Sequence, residues 1–205
     1  MNIIEKRLNN EHTSNKLANG IADEDAEKAI QTLLKWIGEN PEREGLIETP
    51  RRVLKAYKEW FAGYKQNPQE ILNKTFEEVN GYNQLVILKD IDFSSYCEHH
   101  FAPILGKVHI GYLPTNKIIG LSKLARLVDV FAKRLQVQER MTSQIANALQ
   151  SNLGCAGVGV VVEAEHHCMC TRGIKKPGTS MNTSFFTGEL YKNLDKRDEF
   201  LRSII

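Results

Sequence analysis

Two short stretches hold most of the reactive side chains in this sequence. Cys97-Glu98-His99-His100 sets a thiol and an imidazole at C-x-x-H spacing, which a tight turn can aim at one metal ion. His166-His167-Cys168-Met169-Cys170 places two imidazoles and two thiols within five residues. Together they contain four of the six histidines and three of the four cysteines, with Cys155 apart. That grouping favours a metal site or catalysis over a disulfide scaffold, which would be shorter and richer in cysteine. Thiolate and imidazole are soft to borderline ligands and favour Zn2+. Two thiolates and one imidazole leave a fourth position for water, and so for catalysis. Adding Cys170 or His166 would close the tetrahedron and make the zinc structural. If the second stretch stays extended, residues 166, 168 and 170 share a face and either set can form.

A second chemistry is anion binding. Ser122 reads as a helix N-cap, yet Lys123 and Arg126 fill the first turn, where cations oppose the helix dipole. Thr49-Pro50-Arg51-Arg52 repeats the pattern, whereas a helix opening at Asp23-Glu24-Asp25 carries its acids where the dipole favours them. A phosphate held by exposed helix NH groups and these cations would account for both exceptions. No G-x-x-x-x-G-K-[ST] run exists, so such a site must be assembled from distant segments. In Gln138-Glu139-Arg140 the carboxylate can accept from the adjacent ring NH and amino donors of guanine; it also suits a plain helix start.

Elements that could position these groups are legible along the 205 residues. Residues 1–22 lack periodicity and read as a mobile arm. Residues 23–80 read as a helical region. Ala26, Ile30, Leu33, Leu34 and Ile37 share one helical face with Gly38 as the stop. Val53, Leu54, Tyr57, Trp60 and Phe61 form a second stripe ended by Gly63. From residue 81 to 205 strands dominate: Leu85–Leu88, Ile91–Phe93, Lys107–Tyr112, Gly157–Glu165 and Thr183–Phe186. A helical pair interrupts them, with Leu124, Leu127, Val128 and Phe131 in one and Met141, Ile145, Ala148 and Leu149 in the other, before Gly154. A short helix, Asp195–Ile205, closes the chain. Strands in blocks around a helical pair predict an α+β fold with an antiparallel sheet.

Hydrophobic residues at 41% and charged residues at 25% exclude a disordered polyelectrolyte, and a net charge of +2 predicts no nucleic acid partner. No apolar run approaches the roughly 18 residues of a membrane span, and the polar start lacks a signal-peptide core. The expectation is a soluble, cytoplasmic protein.

Thr49-Pro50-Arg51-Arg52-Val53, Cys97-Glu98-His99-His100-Phe101, Ile119-Gly120-Leu121-Ser122-Lys123, Arg134 through Arg140, and Cys168 through Gly173 together resemble the GTP cyclohydrolase I family. The resemblance runs from about residue 23 to the end. It implies a T-fold preceded by a helical layer, and hydrolysis of GTP to 7,8-dihydroneopterin triphosphate and formate, the entry to folate and other pterins. It assigns Zn2+ to Cys97, His100 and Cys168, and acid/base work to His99 and His166. Glu139 becomes the guanine anchor with Gln138 beside it, and Ser122, Lys123, Arg126 and Arg172 become triphosphate contacts. Arg52 and Lys55 match basic residues contributed by a neighbouring subunit, in a homo-oligomer of two stacked pentamers. His167 and Cys170 depart from the family pattern. The alternatives are a zinc-stabilised interaction module without catalysis and a pterin-pathway relative with another substrate.

Overall fold

The computed structural model describes residues 20–76 and 81–205; up to residue 19, the expected arm lies outside the described residues. Two compact units divide between Lys65 and Gln66.

In the first unit, α1 (Asp23–Trp36) and α2 (Thr49–Trp60) are followed by a 3-10 turn, Ala62–Lys65. Asp23, Glu24 and Asp25 occupy the first turn of α1, and Gly38 follows the helix at φ +95°. Lys58 of α2 donates to Asp23 of α1. The expected stripe of α2 is half-buried at Val53, Leu54, Tyr57 and Phe61, with the Tyr57 and Phe61 rings edge to face at 5.3 Å. The N-cap of α2 is Glu48. Thr49 is already the first helical residue, and Pro50 sits where its missing N–H costs nothing.

The second unit opens with α3 (Pro68–Leu72) and β1 (Thr75–Phe76), which pairs with β4 (Ile118–Ile119). Its main sheet has the order β5-β2-β3-β6-β7, from Leu135–Gln136, Val86–Cys97, Pro103–Leu113, Gly157–His166 and Ser180–Phe186. All pairings are antiparallel except β5 with β2, as the block pattern of the sequence implied. The two runs expected at Leu85–Leu88 and Ile91–Phe93 form one strand, β2. A bulge between Leu88 and Ile91 puts Asp90 at φ +59° and interrupts the alternation that made them look separate.

Period-2 alternation sends Val108, Ile110 and Tyr112 of β3 and Val158, Val160 and Val162 of β6 into one core. The pair α4 (Leu121–Ala132) and α5 (Gln138–Leu153) covers it with Leu124, Leu127, Val128, Met141, Ile145 and Leu149. Each such side chain contributes roughly 1.5–3 kcal/mol by leaving water. Gly154, at φ +62°, terminates α5 as expected. On the opposite face, α7 (Gly188–Lys192) and α8 (Leu194–Ile204) place Leu190 and Phe200. A Cβ at Gly111 would lie 2.6 Å from the Phe200 ring, so the close approach of α8 depends on that glycine. A largely antiparallel sheet backed by a helical pair is the α+β arrangement that the strand blocks implied. Among the described residues no helix is long and apolar enough to cross a membrane.

Candidate functional site

The candidate site is built on the ends of β2 and β6, both neighbours of β3. At the first, Cys97 closes β2 and the chain reverses at once. Cys97 N donates to Ala102 O at 2.8 Å, and Phe101 N donates to Cys97 O at 2.9 Å. Phe101 takes φ +54°, a left-handed conformation that a ring-bearing residue seldom adopts, and it completes the turn that carries His100 back toward Cys97. Strand β5 lies alongside, with Glu98 N donating to Gln136 O at 3.1 Å. The buried Gln136 donates to Phe131 O and Gln144 Oε1, and accepts from Arg140 Nε at 3.2 Å. Arg140 also donates to the Glu98 carboxylate, which lies 4.0 Å from His99 Nε2.

At the second, β6 ends at His166, opposite Ile104 of β3. Residues His167–Cys170 do not stay extended; they form a helical turn, α6. Helical spacing separates the side chains that a strand would have aligned. The ligand atoms of Cys168, Cys97 and His100 lie within 4.8 Å of one another, and among the described residues they are the only Cys, His or carboxylate group arranged to hold a metal. Cys170 turns elsewhere, its thiol donating to Glu165 Oε1 at 2.9 Å. That bond pushes the Cys170 thiol up and holds the Glu165 carboxyl below the usual range.

The three clustered groups fit a soft divalent cation on their own chemistry. Burial pushes the Cys168 thiol up, and the adjacent Cys97 sulfur pushes it further, because two thiolates at this separation repel. A cation between them would reverse that repulsion, and sulfur with imidazole is a donor set suited to Zn2+. Three protein donors leave a coordination position open.

His99 is exposed on the same turn, its Nδ1 3.7 Å from Cys97 Sγ. His166 is half-buried, its Nε2 2.7 Å from Gln138 Oε1; burial lowers its pKa, opposed by the Glu139 carboxylate. Arg172 reaches the cluster, with Nη1 donating to His100 Nε2 at 2.8 Å. Glu139 is exposed in the first turn of α5. Gly120, not Ser122, caps α4, so Ser122 is the second helical residue and Arg126 lies one turn beyond it on the same face. Among the described residues neither Lys123 nor Arg126 pairs with a carboxylate, and the first turn of α4 has no acid. Arg52 and Lys55 are exposed on α2 in the first unit.

Residues that the spacing did not single out are Glu98, Gln136 and, for its contact with Glu98, Arg140. Glu98 lies inside the C-x-x-H motif and Arg140 follows the guanine-edge candidate, but the bond joining them spans 42 residues. Local sequence carries no signal for such a pairing.

With two thiols and one imidazole clustered at its strand ends, this α+β chain has a group that could hold a metal ion. Its family model, GTP cyclohydrolase I, matches residues 26–205. The GTP cyclohydrolase 1 of Brucella anthropi is 57% identical over 177 residues, covering 86% of this chain and 83% of its own. That of Pelagibacter ubique is 51% identical over 90% of this chain and 91% of its own, and that of Brucella canis 53% identical over 88% and 84%. The chain belongs to the GTP cyclohydrolase I family.

Proposed function

We propose that this protein hydrolyses GTP to 7,8-dihydroneopterin triphosphate and formate, the first step toward folate or other pterins. The observation that carries the reading is the convergence of Cys97, His100 and Cys168 in a chain of this family. These three residues would hold Zn2+. When bound, the ion supplies Lewis acidity that brings the pKa of water toward neutrality.

The remaining work falls to the chain. Guanine presents a ring NH and an amino group side by side, and the Glu139 carboxylate accepts from both, which selects guanine over adenine. Ser122, Lys123, Arg126 and Arg172 bind the triphosphate, placing the reacting purine carbon at the metal. Cations at the start of α4 then have the partner that the helix dipole denies them. Opening the five-membered ring and closing a six-membered one requires repeated proton transfers. His99 and His166 carry them, imidazole being suited to both directions near neutral pH. Arg52 and Lys55 complete the site from a neighbouring subunit of a decamer built from two pentamers. The site of action is the cytoplasm.

Incubating the protein with GTP and zinc should release formate in step with a fluorescent pterin. Failure to form either product at full zinc occupancy would overturn the reading.

A further inference from the structure

Gln138 heads α5 and is 1% exposed. Its amide nitrogen lies 3.0 Å from Val162 O, 2.9 Å from Met181 O and 3.1 Å from Thr183 Oγ1. The two carbonyls can only accept. Thr183 is held to the same role by its neighbour. Thr142 Oγ1 donates its single proton to Gln138 O at 2.7 Å, so the 2.7 Å contact between the two hydroxyls must be Thr183 donating to Thr142. The Thr183 oxygen is left to accept from Gln138. Three acceptors therefore surround one end of the amide. Turning it over would set its oxygen against two carbonyl oxygens in a buried site, which costs the full penalty of unpaired polar groups.

With the amide so fixed, Oε1 faces His166 Nε2 at 2.7 Å, and an oxygen can only accept. We propose that Gln138 is a positioning residue that holds His166 as the Nε2–H tautomer and leaves Nδ1 as the one ring nitrogen open to substrate or water. Both amide protons and one lone pair of Gln138 are committed inside the protein, so the side chain acts on the purine through His166. The sequence resemblance placed Gln138 beside Glu139, the guanine anchor; its side-chain oxygen faces His166. Thr142 and Thr183 belong to the same device, because they decide which way the amide faces. The catalytic consequence rests on the reading of His166 as a proton carrier in GTP hydrolysis; the tautomer itself does not.

The direct test is the tautomer in the wild-type protein. Two-bond proton–nitrogen spectra of 15N-labelled histidine, recorded in alkaline buffer with His166 assigned by signal loss in His166→Asn, should show a protonated Nε2 and an unprotonated Nδ1. The reverse pattern would overturn the proposal. No GTP is involved, so failure of the tautomer and failure of the proposed activity are separately visible. Gln138→Met keeps the length and removes the amide. Formate release should fall about tenfold or more in kcat, with the KM for GTP within about threefold, and His166 should become a tautomer mixture. A raised KM at unchanged kcat would make Gln138 a guanine contact and refute the positioning role. Should Gln138→Met fail to fold, the wild-type spectrum decides alone.

Discussion

The two arms that meet at the candidate metal cluster are built differently. The 97–102 arm is a hairpin turn closed by its own backbone, with Phe101 left-handed, and its side-chain anchor is the part-exposed ion pair of Arg140 with Glu98. The 166–172 arm is a strand end followed by one helical turn, and its anchor is the buried amide of Gln138. Both anchors come from the first turn of α5, where Gln138 and Arg140 flank Glu139 in sequence. One helix start therefore ties both arms and carries the proposed guanine contact. The first anchor is screened by solvent, whereas the second is buried.

Exchanging the two thiols of the second arm should break the comparison hardest. Cys168→Ser should lose zinc and formate release together, since a neutral hydroxyl replaces thiolate poorly. Cys170→Ser should keep both, because that thiol bonds Glu165 instead. Metal loss in Cys170→Ser, read as zinc per protein, would make it a fourth ligand and the site structural.

Glu139→Gln tests the residue between the anchors. An NH2 group would meet guanine's two donors, and GTP binding should weaken by roughly 1–3 kcal/mol, or about 5- to 150-fold by titration. Unchanged affinity would remove Glu139 from the guanine site.

Arg140→Ala should be milder. Hydrogen-bond partners of metal ligands are worth about 10- to 100-fold in metal affinity, but a solvent-screened ion pair contributes under about 1 kcal/mol. Chelator competition should therefore give a zinc affinity lower by at most about fivefold. A drop of about tenfold or more would show that this pair anchors the metal ligands as firmly as a buried contact.

The smallest effect concerns β3, which joins the arms. His109 on β3 is buried, and its Nδ1 accepts from Asp90 N at the β2 bulge at 3.2 Å. Burial lowers its pKa; Asp90 and Glu163 oppose the shift, and Lys107 and Lys89 assist it. With the folded value below about 6.5, protons bind the unfolded chain first. Stability is then full above pH 6.5 and declines as pH falls toward the folded value. His109→Gln should flatten that decline in denaturant titrations. An unchanged slope would show that His109 takes no part in it.

Much of this molecule was legible before folding. Alternation at Lys107–Tyr112, the apolar faces of α4 and α5, and Gly154 as a stop all emerged as expected, because each expresses a period or a backbone preference contained within a few residues. The soft ligand types of the candidate metal cluster were legible for the same reason, in two short motifs, but spacing left open whether Cys170 or His166 would join Cys97, His100 and Cys168. Contacts between distant segments were not. The β2 bulge merged two apparent strands, and a helical turn after His166 separated Cys170 from Cys168. Gly120 took the cap that Ser122 was expected to fill. The amide of Gln138, read beside the guanine anchor Glu139, turns its oxygen to His166 because Val162, Met181 and Thr183 crowd its nitrogen from 24, 43 and 45 residues away. Residue type and spacing determine which atoms can bind a metal or carry a proton. Which way an amide or a thiol faces depends on the polar groups that long-range pairing places around it, and only the tertiary structure supplies those.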